Sequence, residues 1–541
     1  TSGTRINEEG YIEDVPYNFA QNSEDIDGTG WSNFFSTLEL NSVLAPDGTQ
    51  TADKIISTSA SGGRLDCVVS NGMSNTQYTT SFYAKANNTT AALCQIYEDS
   101  SGTFLATLDY TNLINTETWT RITITYTTTV GGNIRSQIIK NMPNGESVFF
   151  WGMQVVKGDK PKNYLPTTDR KNLPRLNYPV YGGCPSLLVE PQRTNRNTES
   201  EDLSQWIAAN GSVSTDLIVN PTGNTNKSYW IPDTTNNFHH IDNSSSVTSG
   251  QQYTISIFLK PDGSDFLNFV ILNTPTGNVN SNSGPIVNIK NGTKVGFFNS
   301  DYDVDIVSYG NGWNRYAWTV TTNATTLKLD VNPIPTSSVS SYNGNGNNGI
   351  YVYGLQVEEG SYPTSYMPTS GGTFTRNEDK ALYAGLGTTD TFNDSEGVLF
   401  IETEALVNEV NARGICINSG NGNNRVLISY PSSSASAILG YVQSAAGSGA
   451  SMSAVGVDTT QKHKVAIKYK VNDASLFIDG VKRGQDPSVA MPVGLKQLDF
   501  TNGIGAGTAE YEGNLNAIAV YKTALTDTEL ANLTSYNNHD L

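Results

Sequence analysis

Histidine, cysteine and charge are all scarce in this chain. It has four His and four Cys among 541 residues, and charged residues make up only 16%. Cys67, Cys94, Cys184 and Cys416 are too scattered for a disulfide framework or a zinc pattern. Buried thiols are the simpler reading, with Cys67 and Cys94 the one pair that could bridge within a first domain. Basic residues number 33 against 51 acidic ones, a net charge of −18, and the lysines are unclustered. That argues against polyphosphate and so against nucleic acid. No apolar run approaches the ~18 residues of a membrane helix, which excludes insertion by that route. The start, Thr1-Ser2-Gly3-Thr4-Arg5, has no Met and no apolar leader, as expected of a fragment or processed form. No Gly-x-Ser-x-Gly, no His-Glu-x-x-His and no phosphate-binding Gly-rich loop with Lys occurs, so the expectation is a protein without catalytic activity.

What is abundant is Asn, Thr, Ser and Gly, the last at 50 residues, a composition of strands and turns. With 27 Tyr, 18 Phe and 7 Trp the chain can build several small cores, so it is not disordered. Its length predicts three or four domains.

Repetition organises it. Ser23-Glu24-Asp25 with Trp31 recurs as Ser200-Glu201-Asp202 with Trp206. Tyr78–Lys85 recurs as Tyr253–Lys260, Trp119-Thr120-Arg121 as Trp313-Asn314-Arg315, and Gly152-Met153-Gln154 as Gly354-Leu355-Gln356. Each copy closes on Tyr-x-Pro, at Tyr164 and at Tyr366. Five blocks in one order mean a duplicated domain. The offset is 175 at the first Trp (206 − 31), 194 at the second (313 − 119) and 202 at the Gly-x-Gln block (354 − 152). Copy two therefore carries insertions, the first between Lys260 and Trp313 and reading as an extra hairpin, the second near Ser337–Asn348. Period-two alternation, as in Arg121–Tyr126, with Pro-Asp-Gly and Pro-Thr-Gly turns between runs, predicts strands throughout. Neither copy shows a helix, and each reads as a jelly-roll β-sandwich.

A third region differs. Gly397–Leu406, Arg425–Tyr430 and Lys464–Tyr469 read as strands, and Leu476-Phe477-Ile478-Asp479-Gly480 as a strand entering a tight turn. Thr526-Asp527-Thr528-Glu529 is a capping box that predicts one short helix. The expected boundaries are 1–169 for the first roll, 170–186 for a linker, 187–370 for the second roll and 371–541 for a final sandwich. The joints, Asp169–Asn177 with Arg170, Lys171 and Arg175, and Thr369–Lys380, are poor in apolar residues.

On Thr4-Arg5-Ile6-Asn7, Val15-Pro16-Tyr17-Asn18, Ser200-Glu201-Asp202 and Cys184–Asn195, the two copies resemble the carbohydrate-binding-module-like jelly rolls of bacteriophage tail and head-fibre proteins. On Leu476–Gly480, Gly513–Asn516 and Tyr521–Asp527, the third region resembles a concanavalin-like, laminin-G-type sandwich. The resemblance implies an all-β fold of two tandem jelly rolls and a concanavalin-like sandwich. It implies a virion-surface fibre or spike that attaches to a bacterial surface glycan, sits among other virion proteins and is often a homotrimer. It also implies a structural calcium near the opening acids, which points to Glu24, Asp25, Glu201 and Asp202. After Gly513 come Leu515, Asn516 and Ala517, where laminin-G domains often carry acids.

Sugars stack on aromatic rings while amides, acids and Arg bond their hydroxyls. Aromatics shared by both copies should serve the fold, and those of one copy are freer for a ligand. That filter singles out Tyr229 and Trp230, with His239 and His240 beside them; a core role for Trp230 stays open. Glu402 and Glu404 share a strand face as in some concanavalin-like glycosidases, but the third acid of Glu-x-Asp-x-x-Glu is missing. A glycan depolymerase and a purely architectural protein are the rival readings.

Overall fold

A computed structural model describes residues 3–15, 17–59, 63–168, 174–214, 218–226, 228–274, 284–298, 301–337, 341–379, 385–386, 391–503 and 509–536. Of the segments marked in the sequence, Thr1, Ser2, Pro16, residues 169–173, 275–283, 299–300 and 338–340, and Lys380 lie outside these. The chain forms two compact units, Val15–Leu173 and Thr1–Asp14 with Pro174–Leu541.

The first unit is a sandwich of ten antiparallel strands: β1 (Trp31–Phe34), β2 (Ser36–Val43), β3 (Ala52–Ser57), β4 (Arg64–Gly72), β5 (Gln77–Ala86), β6 (Leu93–Glu98), β7 (Thr103–Asp109), β8 (Thr120–Thr127), β9 (Gly132–Lys140) and β10 (Ser147–Lys157). One sheet runs β2-β3-β10-β5-β8, the other β1-β4-β9-β6-β7. Alternation drives it. In β8, Ile122, Ile124 and Tyr126 are buried while Thr123 and Thr127 face water. Cys67 and Cys94 sit on β4 and β6, which flank β9 instead of pairing. Two strand spacings, about 9–10 Å, exceed the reach of a disulfide. The pairing kept open from the sequence is therefore set aside.

The second roll repeats this order: β11 (Ile207–Ala209), β12 (Gly211–Val213), β13 (Tyr229–Pro232), β14 (His240–Ser246), β15 (Gln252–Asp262), β16 (Phe266–Thr274), β17 (Gly284–Asn288), β18 (Thr293–Phe298), β19 (Asp305–Ser308), β20 (Asn314–Thr321), β21 (Thr326–Ile334) and β22 (Gly349–Glu359). Its sheets run β12-β13-β22-β15-β20-β19 and β11-β14-β21-β16-β17-β18. Strand for strand these match the first roll, with one edge strand added to each sheet. The first insertion thus supplies two extra strands, β18 and β19, on opposite sheets, where one hairpin was expected.

The shared residues explain themselves as backbone anchors. Asn18 Nδ2 donates to Met153 O (2.8 Å) and Leu165 O (3.0 Å), and its Oδ1 accepts from Ala20 N and Val155 N, both at 3.0 Å. Asn195 does the same with Leu355 O, Met367 O, Asn197 N and Val357 N at 2.8–3.2 Å. Ser23 Oγ and Ser200 Oγ each meet a Tyr-x-Pro hydroxyl, Tyr164 at 2.8 Å and Tyr366 at 2.9 Å. Trp119 donates to Leu44 O (3.1 Å) and Trp313 to Val219 O (3.0 Å), again 175 residues apart (219 − 44). Gly152 and Gly354 hold φ near +67° and +65°, and the ladder slips beside each. A Cβ on Gly354 would lie 2.8 Å from the Phe258 ring, so this bulge requires glycine.

The final sandwich pairs a six-stranded sheet, in the order Gly385–Leu386, Gln497–Asp499, Arg413–Asn418, Arg425–Tyr430, Ala437–Gln443 and Ala450–Val455, with a seven-stranded one. The larger sheet is built on Gly513–Tyr521, Glu396–Ala405, His463–Lys470, Ala474–Ile478 and Val481–Asp486, and Leu176–Asn177 and Ser186–Val189 complete it. Residues expected as linker thus add strands to this sandwich. Residues 4–14, expected in the first roll, form a hairpin packed on the second: Ile12 joins Phe258, Trp313, Tyr353 and Tyr366. The helix α1 (Asp527–Thr534) has the capping box at Thr526 and Glu529. No helix among the described residues is long and apolar enough to cross a membrane.

Both joints meet in a buried ion network. Arg175 Nη2 lies 2.7 Å from Glu190 and also pairs with Asp379, while Arg376 reaches the same two acids at 3.4 and 3.6 Å. Burial opposes charge on Glu190, but Arg175, Arg376 and the Ser365 hydroxyl outweigh it and hold its pKa down at about 2.

Candidate functional site

The sheet β1-β4-β9-β6-β7 has one face on the core and one on solvent. Leu65, Cys67, Ile96, Ile134 and Ile138 point inward, so their neighbours point out. The ladder aligns Ser32, Asp66, Gln137, Gln95 and Thr107 in one row across all five strands. The next row is Val68, Arg135, Tyr97 and Phe104. Asp66 anchors the centre. It is fully buried and held by Arg64 (2.9 Å) and Arg135 (3.7 Å), while Arg135 Nε also bonds Asp99 at 2.6 Å. Burial pushes the Asp66 carboxyl up, against the pull of the two guanidiniums. Tyr97 and Phe104 pack ring to ring at 5.1 Å, with Phe104 56% exposed. On the other flank Arg64 lies over the Phe34 ring at 4.3 Å. Fixed amides, hydroxyls and charges between exposed rings are what a pyranose needs. Sequence reasoning missed this face because its residues come from five separate strands.

In the second roll the same sheet carries different chemistry. Register places Asp242 where Asp66 stands, His240 at Arg64, Asp330 at Gln137 and Lys328 at Arg135. His240, Asp242 and Asp330 converge there.

The residues chosen from the sequence as ligand-binding do not form one site. Trp230 is fully buried in the core, and Tyr229, on the opposite strand face, packs on Tyr351 with centroids 4.6 Å apart. His239 is also fully buried, its ring nitrogens 2.6 Å from Asn210 O and 3.1 Å from Thr235 O and Tyr342 O. His240 alone reaches the outward face of the other sheet. Adjacent strand residues point to opposite faces, which separates both pairs.

The four acids proposed for calcium divide by copy. Glu24 accepts from Tyr164 Oη (3.0 Å), and around it lie Asp25, Asp27, Asp47 and Asp53. Asp53 is 2% exposed, and burial, with Asp25 and Asp27 nearby, pushes its pKa up to about 6. Among the described residues, though, no three of these carboxylates bring their oxygens together around one ion, as only His240, Asp242 and Asp330 do. In the second roll Thr222 and Ser228 stand 175 residues on from Asp47 and Asp53. There Glu201 accepts from Tyr353 Oη (2.5 Å) and Tyr366 Oη (3.1 Å), and Asp202 caps a 3₁₀ turn through Ser204 N (2.9 Å). That set does not fit.

Glu402 and Glu404 lie on the outward face of their strand, Glu402 3.9 Å from Lys462 Nζ. Burial raises the Glu404 carboxyl.

No family model and no curated protein matches the chain. Among solved structures, it is similar to the CBM40 of the Ruminococcus gnavus IT-sialidase bound to α2,3-sialyllactose, at 15% identity over 26% of this chain and 84% of that one, TM-score 0.23. It is similar to the CBM22-1–CBM22-2 tandem of Paenibacillus barcinonensis Xyn10C at 10% identity over 64% and 98%, TM-score 0.25. It is also similar to mouse laminin α1 domains LG4-5 at 12% identity over 55% and 88%, TM-score 0.20.

Proposed function

We propose that this protein is a non-catalytic glycan-binding component of a bacteriophage fibre or spike. On this reading the first roll carries the sugar-binding face. The observation behind it is the cross-strand row Ser32-Asp66-Gln137-Gln95-Thr107, bordered by Tyr97 and Phe104. The buried Asp66 fixes the partly exposed Arg64 and Arg135, so these guanidiniums can bond hydroxyls without first being ordered. Weak single sites suit a fibre, because several copies on one particle raise the effective concentration. A homo-oligomer among other virion proteins at the virion surface would supply those copies, and the acidic surface would limit nonspecific contact. Calcium, if bound, would lie near the opening acids Glu24 and Asp25.

A glycan array with the purified chain tests the reading. Binding to a bacterial surface polysaccharide should fall roughly tenfold or more in Phe104→Ala and Tyr97→Ala, the loss expected for a stacked ring. It should persist in Val455→Ala, on the final sandwich. No binding by the wild type, or binding indifferent to both ring deletions, would remove this face as the site.

A further inference from the structure

The twin sheets offer a comparison that isolates one cluster. His240 and Asp242 stand two apart on β14 and so share a face, and Asp330 is the register partner of Asp242 on β21. Their ligand atoms all lie within 4.8 Å of one another. Asp242 and Asp330 are 1% and 4% exposed. Lys328 Nζ reaches both, at 3.2 and 3.0 Å. One ammonium against two buried carboxylates leaves a negative charge uncompensated, which is costly in such a setting. Lys328 and His240 approach Asp242 only at Oδ1, and its buried Oδ2 has no donor among the described residues. His240 Nε2 stands 3.3 Å from Asp242 Oδ1, with its ring partly open to solvent.

We propose that His240, Asp242 and Asp330 form a binding site for one divalent transition-metal ion of the Zn2+ or Co2+ class on the outward face of the second roll. One imidazole nitrogen with two carboxylates suits these borderline cations better than calcium, which takes oxygen ligands. Three protein ligands leave a coordination position open to water or to a ligand hydroxyl. Lys328, 25% exposed, can swing its ammonium into water as the ion takes its place. The first roll shows that the fold does not require this set. There Arg64 and Gln137 occupy the His240 and Asp330 positions, and Arg64 itself bonds Asp66 at 2.9 Å. Neither Arg nor Gln is a ligand for such an ion, so the site belongs to the second roll alone.

The test is titration of the full chain with Co2+ in the presence of excess Ca2+, followed by visible absorption. The expected result is a saturable band at one equivalent. His240→Gln and Asp330→Asn should each weaken it roughly tenfold or more, and Lys328→Met should strengthen it. Thermal melts confirm folding. Should Asp330→Asn fail to fold, His240→Gln, on a partly exposed ring, decides the matter. No saturable band in the wild type, or a band unchanged in His240→Gln, overturns the proposal.

Discussion

Replacing Asn18 or Asn195 by Ala should be equally damaging, each in its own roll. Each side chain serves four backbone groups, two carbonyls and two amides, at 2.8–3.2 Å. Both residues are fully buried, so water cannot take over. At a net ~0.5–1.5 kcal/mol per hydrogen bond, the loss is about 2–6 kcal/mol. For domains of this size each kcal/mol moves the midpoint by roughly 2–4 °C, so a fall of about 10 °C is expected. Differential scanning calorimetry of the full chain is the assay. Asn18→Ala should lower the transition of Val15–Leu173, and Asn195→Ala that of the other unit. If one substitution cost less than ~1 kcal/mol while the other cost the full amount, the two Asn would not be doing the same job. The claim that the rolls are copies of one scaffold would then fail.

Other expectations follow from charge. Glu98 is fully buried and accepts from Thr129 N, Val130 N and Gly131 N at 2.9–3.2 Å; burial opposes its charge, but these bonds and those of the Ser101 and Thr129 hydroxyls hold its pKa down at about 2. A carboxyl lowered in the fold adds stability above its unfolded pKa and loses it as pH falls. The first roll should therefore weaken between about pH 4.5 and 2, and Glu98→Gln should flatten that slope in acid-unfolding fluorescence. Asp53 has the opposite sign. Its raised carboxyl favours the fold below about pH 4 and loses that contribution as pH rises through about 6. Asp53→Asn should therefore raise the melting temperature at pH 7, as read by thermal unfolding. Thr526→Ala removes the hydroxyl that caps Glu529 N and should cost about 1 kcal/mol in thermal unfolding of the final sandwich.

The fold was legible because its signals are local. The alternation of Arg121–Tyr126, the turn at Pro46-Asp47-Gly48 and the Thr526 capping box each act within a few residues, and the structure places strand, turn and helix there, whereas Pro261 and Asp262, also read as a turn, continue β15 and pair with β22. The duplication was legible for a related reason. Trp119 with Trp313, and Gly152 with Gly354, recur because each meets a backbone demand of one bulge or one loop. What stayed hidden depends on pairing across strands. Arg175 looked like a linker residue, yet Glu190 and Asp379 neutralise it when buried, and neither is near it in sequence. Likewise Trp230 looked like a free aromatic of one copy, but its ring fills the core under β13.

The two rolls separate scaffold from function more sharply than either does alone. Where both copies keep a residue type, the side chain closes backbone bonds: Asn18 and Asn195, Ser23 and Ser200, Trp119 and Trp313. On the outward face of one sheet the copies differ in chemistry at matched register: Arg64 against His240, Gln137 against Asp330, Arg135 against Lys328. Asp66 and Asp242 are the exception that links the sets, for both are buried carboxylates tied to a cation on that face. A fixed acid at the centre, with its surroundings exchanged between copies, is the pattern expected of one inherited binding face turned toward two chemistries. Substituting Asp66→Asn and Asp242→Asn should then abolish different ligands while leaving both sandwiches folded, glycan in the first case and transition metal in the second. Loss of the same ligand from both variants would contradict the division.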